Sequence, residues 1–244
     1  MFFTPLRFSQ TDSFLSGVYS WSDLQVEKKD YFEKRQILEG STTDDENLNI
    51  YALTIEPGES LREKNDEETL IIIKNGEVKV SLKNDSKILV PGSTVLVMSG
   101  DEYKIENSGD KDATYYVFLY KSKYPVDIQR GIEAGGSFMI NWNDLEFHPH
   151  DKGGIRQYVN RPTSMAKRFD IHVTTLNAGI KSHEPHTHRA AEIVLMINGS
   201  SEMEIGKGLF KGSEGDLFFI GSNVPHALKN DGTEPCMYFA IQWE

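Results

Sequence analysis

The chain repeats itself, and a duplication of this kind means one folded unit used twice. Trp21-Ser22-Asp23-Leu24 stands 121 positions before Trp142-Asn143-Asp144-Leu145. The same offset pairs Arg35-Gln36 with Arg156-Gln157, Leu53-Thr54 with Thr174-Thr175, and Gly58 with Gly179. The offset then becomes 123, pairing Gly76 with Gly199, Gly92 with Gly215, Asn107 with Asn230, Gly109 with Gly232 and Tyr115 with Tyr238. The second copy therefore carries two extra residues between Gly179 and Gly199. The 244 residues divide into an N-terminal unit, 1–122, and a C-terminal unit, 123–244.

Each unit reads as β structure. Segments 50–55, 69–73, 77–82 and 94–98 are short and rich in β-branched or apolar residues. Turn chemistry bounds them: Pro57-Gly58, Asn75-Gly76, Asn84-Asp85, Pro91-Gly92, Ser99-Gly100. The second copy offers 169–176, 192–197, 201–205, 216–220 and 236–243, and Asn198-Gly199 between two apolar runs is a strong hairpin signal. Many short, evenly spaced strands predict an all-β sandwich or barrel in each half. Segment 121–150 is polar, carries Gly131, Gly135 and Gly136, and reads as a connector.

Charge and cysteine content exclude several functions. With 26 Lys+Arg against 37 Asp+Glu, the net charge is −11, which disfavours nucleic acid and anionic membranes as partners. The one cysteine, Cys236, makes no internal disulfide; it matches Ala113 and reads as a small core residue. No apolar run approaches the ~20 residues of a membrane helix. The opening residues lack the charged and apolar regions of a secretory signal, so the expectation is a cytoplasmic protein.

All seven histidines lie after residue 147. Three fall in the run His183-Glu184-Pro185-His186-Thr187-His188, with Glu192 and His226 beyond it. In extended chain, residues i and i+2 share a face, so His186 and His188 point together. Glu192 reaches the same interior from the next strand, and His226 from a partner strand. Three imidazoles and a carboxylate around one volume suit a divalent transition metal; the competing reading is a buried polar network or surface histidines.

The pattern Gly179-x6-His186-x-His188-x3-Glu192-x6-Gly199 resembles the first cupin motif, with one extra residue after the glycine. Gly215-x5-Gly221-x-Asn223-x2-His226-x3-Asn230 is similar to the second, with Gly221 and Asn223 where that motif has Pro and Gly. Through the repeat, the whole chain resembles a bicupin. The resemblance implies two tandem double-stranded β-helix (jelly-roll) barrels and one metal site in the C-terminal barrel, with ligands His186, His188, Glu192 and His226. Manganese or iron is favoured over nickel, zinc or copper, because the carboxylate hardens the ligand set. In the first copy the matching positions are Glu63, Asn65, Thr69 and Tyr103, so the N-terminal barrel is expected to hold no metal. Glu63, Asp66, Glu67 and Glu68 read as a solvated loop.

The expected activity is that of a metal-dependent bicupin enzyme on a small polar or carboxylate-bearing metabolite: dioxygenation, decarboxylation, isomerisation or hydrolysis. The alternatives are a non-catalytic binding module, a structural bicupin, or an enzyme like the ureidoglycine aminohydrolases, from which His186 and His226 depart because that group carries a carboxylate and an amide there. His183 and Glu184 read as rim residues and His172 as either interior or substrate-facing. Gln242 stands where the other copy has Leu119 and is expected to face the cavity, so His172, His183 and Gln242 are the catalytic candidates. Arg156 and Gln157, shared with Arg35 and Gln36, read as structural. Met196, Phe218 and Tyr238 read as core, and His148 and His150 as linker residues without a metal role. Sheet edges that need cover suggest a homodimer.

Overall fold

The computed structural model describes residues 13–244. The central strands are apolar through their middles because both of their faces are buried there. In Cys236–Trp243, Cys236, Tyr238 and Ala240 enter the interior of the C-terminal unit, while Phe239, Ile241 and Trp243 enter a core shared with the N-terminal unit. In Glu68–Asn75 the same alternation sends Ile71 and Ile73 inward, and Leu70 and Ile72 to the shared core. The period of two thus builds three apolar layers from two sandwiches set back to back.

The fold is all-β; among the described residues the one α-helix, Ile128–Glu133, is short and lies inside the segment expected to be a connector. The large N-terminal sheet runs Phe138–Ile140, Thr94–Val97, Glu68–Asn75, Ala113–Ser122, Asp45–Ile55, Phe32–Gly40, Val26–Lys29. The large C-terminal sheet repeats this order as Gly17–Tyr19, Leu217–Ile220, Ala191–Asn198, Cys236–Trp243, Phe169–Leu176, Gly153–Arg161, His148–His150. A sheet of four strands covers the first and one of three strands covers the second. Where the fourth strand would lie, isolated bridges Lys181↔Lys229 and His186↔His226 replace it. No helix among the described residues is long and apolar enough to cross a membrane.

Each half lends a strand to the other. Gly17–Tyr19 pairs antiparallel with Leu217–Ile220, and Phe138–Ile140 pairs with Thr94–Val97. The repeated tryptophans follow these strands and settle on the repeated glycines of the opposite half. A Cβ on Gly92 would lie 2.6 Å from the Trp142 ring, and one on Gly215 would lie 3.1 Å from Trp21. Both glycines also have positive φ, 88° and 91°, which a side chain disfavours.

The other shared residues are structural in both copies. Gln36 Nε2 donates to the carbonyls of Leu38 and Ile50, and Gln157 Nε2 to those of Val159 and Ile171, each across a register shift in the ladder. Arg35 lies over Trp21 and Arg156 over Trp142. Asn107 and Asn230 each donate to two carbonyls and accept a glycine N–H. Cys236 is fully buried against Gly199, and burial pushes its thiol up to about 11, which keeps it unreactive.

The acidic run of the first copy corrects the sequence reading at one position. Glu63 and Asp66 are exposed, but Glu68 is fully buried. Its Oε1 accepts from the Ser164 backbone N–H at 2.9 Å and Oγ at 2.5 Å; its Oε2 accepts from Tyr120 Oη at 2.5 Å and Thr163 Oγ1 at 2.6 Å. Sequence places Glu68 beside charged loop residues, but it is the first residue of a central strand whose face meets the other half.

Candidate metal centre

Backbone pairing brings the histidines together. The His186 N–H donates to the His226 carbonyl at 3.2 Å, and the His226 N–H returns to the His186 carbonyl at 3.1 Å. His188 follows two residues on. Its carbonyl accepts from Asn223 N at 2.8 Å, which ties the turn before His226 to the His186–His188 segment. Asn223 adopts φ 60°, the left-handed conformation that asparagine tolerates better than most residues, so it serves where the second cupin motif has glycine. The three ring centroids lie 4.7 to 5.3 Å apart. One nitrogen from each of His186, His188 and His226 lies within 4.8 Å of the others, a group able to hold a metal ion.

Glu192, the second residue of the strand Ala191–Asn198, lies beneath them and is buried. Its Oε2 lies 3.0 Å from His188 Nε2 and 3.1 Å from His226 Nε2. His188 Nδ1 sits 2.8 Å from the Ala190 carbonyl and His226 Nδ1 2.9 Å from that of Val224. A carbonyl only accepts, so both Nδ1 atoms carry hydrogen, and in the neutral rings both Nε2 atoms present lone pairs. Two lone pairs and a carboxylate oxygen then face one another. His226 Nε2 is buried and has no hydrogen-bond partner, since its approach to Glu192 lacks the required geometry. Buried polar atoms seldom go unsatisfied. A cation among these atoms removes the conflict, so the donor set fits a divalent ion.

Electrostatics lean the same way. Burial pushes the Glu192 carboxyl up, but the His188 hydrogen bond and the close imidazoles of His188 and His226 outweigh it and hold it at about 2. Burial, then the neighbouring imidazoles, pushes His186 down, which favours the neutral, ligating form. The Glu192 hydrogen bond raises His188, the competing protonated arrangement when no ion is bound.

A cavity of about 300 Å³ opens beside the cluster. His172, His183 and Gln242 all line it. Gln242 Nε2 donates to Glu192 Oε2 at 3.2 Å. His172 Nδ1 lies 3.4 Å from Asp170 Oδ1. His183 Nδ1 lies 3.0 Å from His186 Nδ1, and burial pushes its pKa down. Glu184 is exposed and pairs with Lys181. Tyr238 belongs to the core yet also lines the cavity, whereas Met196 and Phe218 are core residues that do not line it.

Three residues escaped the sequence reading. His150 is at the cavity rim rather than out in a linker, because the hairpin His148–His150/Gly153–Arg161 folds back over the strand Phe169–Leu176; His148 does not line the cavity. Lys152 lines the rim beside it, and Asp170 orients His172. Their signal was in the repeat: Lys152 matches Tyr31 and Asp170 matches Asn49. In the N-terminal half, Glu63 and Tyr103 pair as His186 and His226 do, and Asn65 donates to Thr69 where His188 meets Glu192. Among the described residues, the one group of three or more such side chains placed to hold a metal is that of the C-terminal half.

Comparison with known proteins agrees with this architecture. Residues 172–242 match the family Cupin_2, the cupin domain. No curated protein matches the chain. AerE from Microcystis aeruginosa is similar in structure, with a TM-score of 0.70 at 14% identity over 91% of this chain and 97% of that one. The Lactobacillus farciminis oxalate decarboxylase formate complex gives 0.73 at 14% identity, over 96% and 87%. Oxalate decarboxylase from Bacillus subtilis at pH 4.6 gives 0.70 at 14% identity, over 94% and 77%. Residues 172–242 are thus similar to the cupin domain, and the sheet order of the C-terminal half is repeated in the N-terminal half.

Proposed function

We propose that the chain is a metal-dependent enzyme acting on a small polar or carboxylate-bearing molecule, with one divalent ion held by His186, His188, His226 and Glu192. The observation that carries this reading is the buried, unpartnered His226 Nε2 facing the Glu192 carboxylate. When bound, manganese or iron supplies Lewis acidity toward an oxygen of the substrate. The rest is the work of the chain's own side chains. Gln242 fixes the carboxylate of Glu192. Asp170 turns the His172 ring, whose other nitrogen is the proton-handling group of the cavity. Leu176, Val194 and Met203 wall the cavity and limit water. The formate complex of a structurally similar oxalate decarboxylase supports a small carboxylate as cargo.

Elemental analysis tests the ligand set. Wild-type protein is expected to carry about one transition-metal ion per chain, and His226→Ala and Glu192→Ala much less, with unchanged far-UV circular dichroism. Equal metal content in all three proteins would refute the assignment.

A further inference from the structure

The rim of the cavity carries a cation that the metal centre does not use. Lys152 Nζ donates to the Ser182 carbonyl at 2.7 Å, and among the described residues the ammonium makes no ion pair. An ammonium has three donors, so two remain for a ligand. Both sides of this contact are fixed. Ser182 is held by two hydrogen bonds to the Leu228 carbonyl, from its N–H at 2.8 Å and its Oγ at 2.9 Å. Gly153, the next residue after Lys152, has φ 141°, and a Cβ there would lie 2.1 Å from the Thr175 carbonyl oxygen, so glycine alone lets the hairpin lie this close to the strand beneath. The Lys152 N–H donates to His150 Nδ1 at 3.2 Å, leaving the other nitrogen of that ring as a second donor at the rim.

The ammonium also borders the metal centre. Ser182 precedes His183, whose ring centroid is 4.2 Å from that of His186. Glu192 is the one carboxylate lining the cavity, and a divalent ion more than neutralises it. In a chain of net charge −11 this cavity is therefore cationic, which draws anions into it and away from the acidic surface. The N-terminal half has Tyr31 in place of Lys152. Leu176, Met203 and Leu228 supply an apolar wall.

We infer that Lys152 is a specificity-determining anion anchor, and that the ligand is a short molecule with two acidic groups, one at the ion and one at Lys152. The inference rests on the metal reading above. A volume of about 300 Å³ holds roughly ten water-sized groups at ~30 Å³ each, the scale of a short diacid. A carboxylate and a phosphate both satisfy an ammonium, and the test separates them.

Wild-type, Lys152→Met and Lys152→Arg proteins are loaded with manganese, and their metal content is measured. Binding of succinate, monomethyl succinate and 3-phosphonopropionate is then followed by calorimetry. Wild-type protein is expected to bind the diacids about tenfold or more tighter than the monoester, as a charge-assisted bond implies. Lys152→Met closes that gap at equal metal content, and Lys152→Arg keeps most of it. Preference for the phosphonate over succinate assigns a phosphate-bearing ligand, and the reverse assigns a dicarboxylate. Diacids that bind no tighter than the monoester, or a gap that survives in Lys152→Met, would overturn the inference. Wild-type protein that takes up no manganese would instead bring down the metal reading, and this one with it.

Discussion

Gln242 hands a hydrogen bond to Glu192, and in turn receives one on its Oε1 from Arg168 Nη2 at 3.1 Å. The ladder register explains why these side chains meet. Asp170, Gln242 and Glu192 occupy one rung across three adjacent strands and project to the same face. In the N-terminal half that rung reads Asn49, Leu119 and Thr69.

Gln242→Leu, which installs the residue of the other copy, is therefore expected to weaken metal binding while leaving the fold intact. Outer partners of metal ligands typically contribute about 10- to 100-fold in affinity. Competition with a chelator of known strength measures the change, with circular dichroism as the control. Unaltered affinity would mean that Glu192 needs no support from this rung.

The crossing of the two halves yields a second expectation. Gly92→Ala meets both an unfavourable φ and the Trp142 ring, whereas Gly100→Ala at φ 79° meets open space. Strain alone costs about 1 kcal/mol. Gly92→Ala is expected to cost about 2–3 kcal/mol once the displaced ring is added. Urea unfolding of both variants reads the difference, and equal losses would show that the tryptophan yields freely.

These glycines were legible because the duplication prints every structural constraint twice. Gly92 and Gly215, Gln36 and Gln157, and Asn107 and Asn230 each make the same contact in both halves. The close spacing of His186 and His188 is equally local. What the repeat could not reveal is which half each copy touches. Trp21 and Trp142 read as residues of their own units, yet Trp21 packs on Gly215 and Trp142 on Gly92, each in the opposite half. Lys152 and Glu68 were hidden for a related reason: a charge among polar or charged neighbours looks solvated until tertiary structure turns it inward.

Glu68 joins the halves through a cluster of donors from Tyr120, Thr163 and Ser164. Glu68→Leu leaves those donors buried and unpaired and is expected to cost about 3–5 kcal/mol. Glu68→Gln keeps one acceptor oxygen and is expected to cost less, because the Tyr120 and Thr163 hydroxyls that meet Oε2 can turn to accept from the new amide. Thermal unfolding that ranks the two variants the other way would place the main burden on shape rather than on hydrogen bonding.

Asp45 gives the clearest pH dependence. Burial pushes its carboxyl up to about 6, against bonds from Thr42 and the Trp243 indole that pull it down. The indole Nε1 donates to Asp45 Oδ2 at 2.8 Å and so ties the last strand of the chain to the N-terminal half. A raised folded-state value means that the folded protein holds this proton more tightly than the unfolded chain does. Its contribution is fully present below pH ~4, the unfolded value, and is lost as pH rises through about 6. A shift of about two units corresponds to roughly 3 kcal/mol. Asp45→Asn retains an acceptor for the indole without the buried charge, so it is expected to gain on wild type between pH 4 and 7 by an amount of that order. Denaturant unfolding of both proteins at pH 4, 5.5 and 7 measures the crossing, and parallel pH profiles would mean that the Asp45 carboxylate is ionised without cost in the folded state.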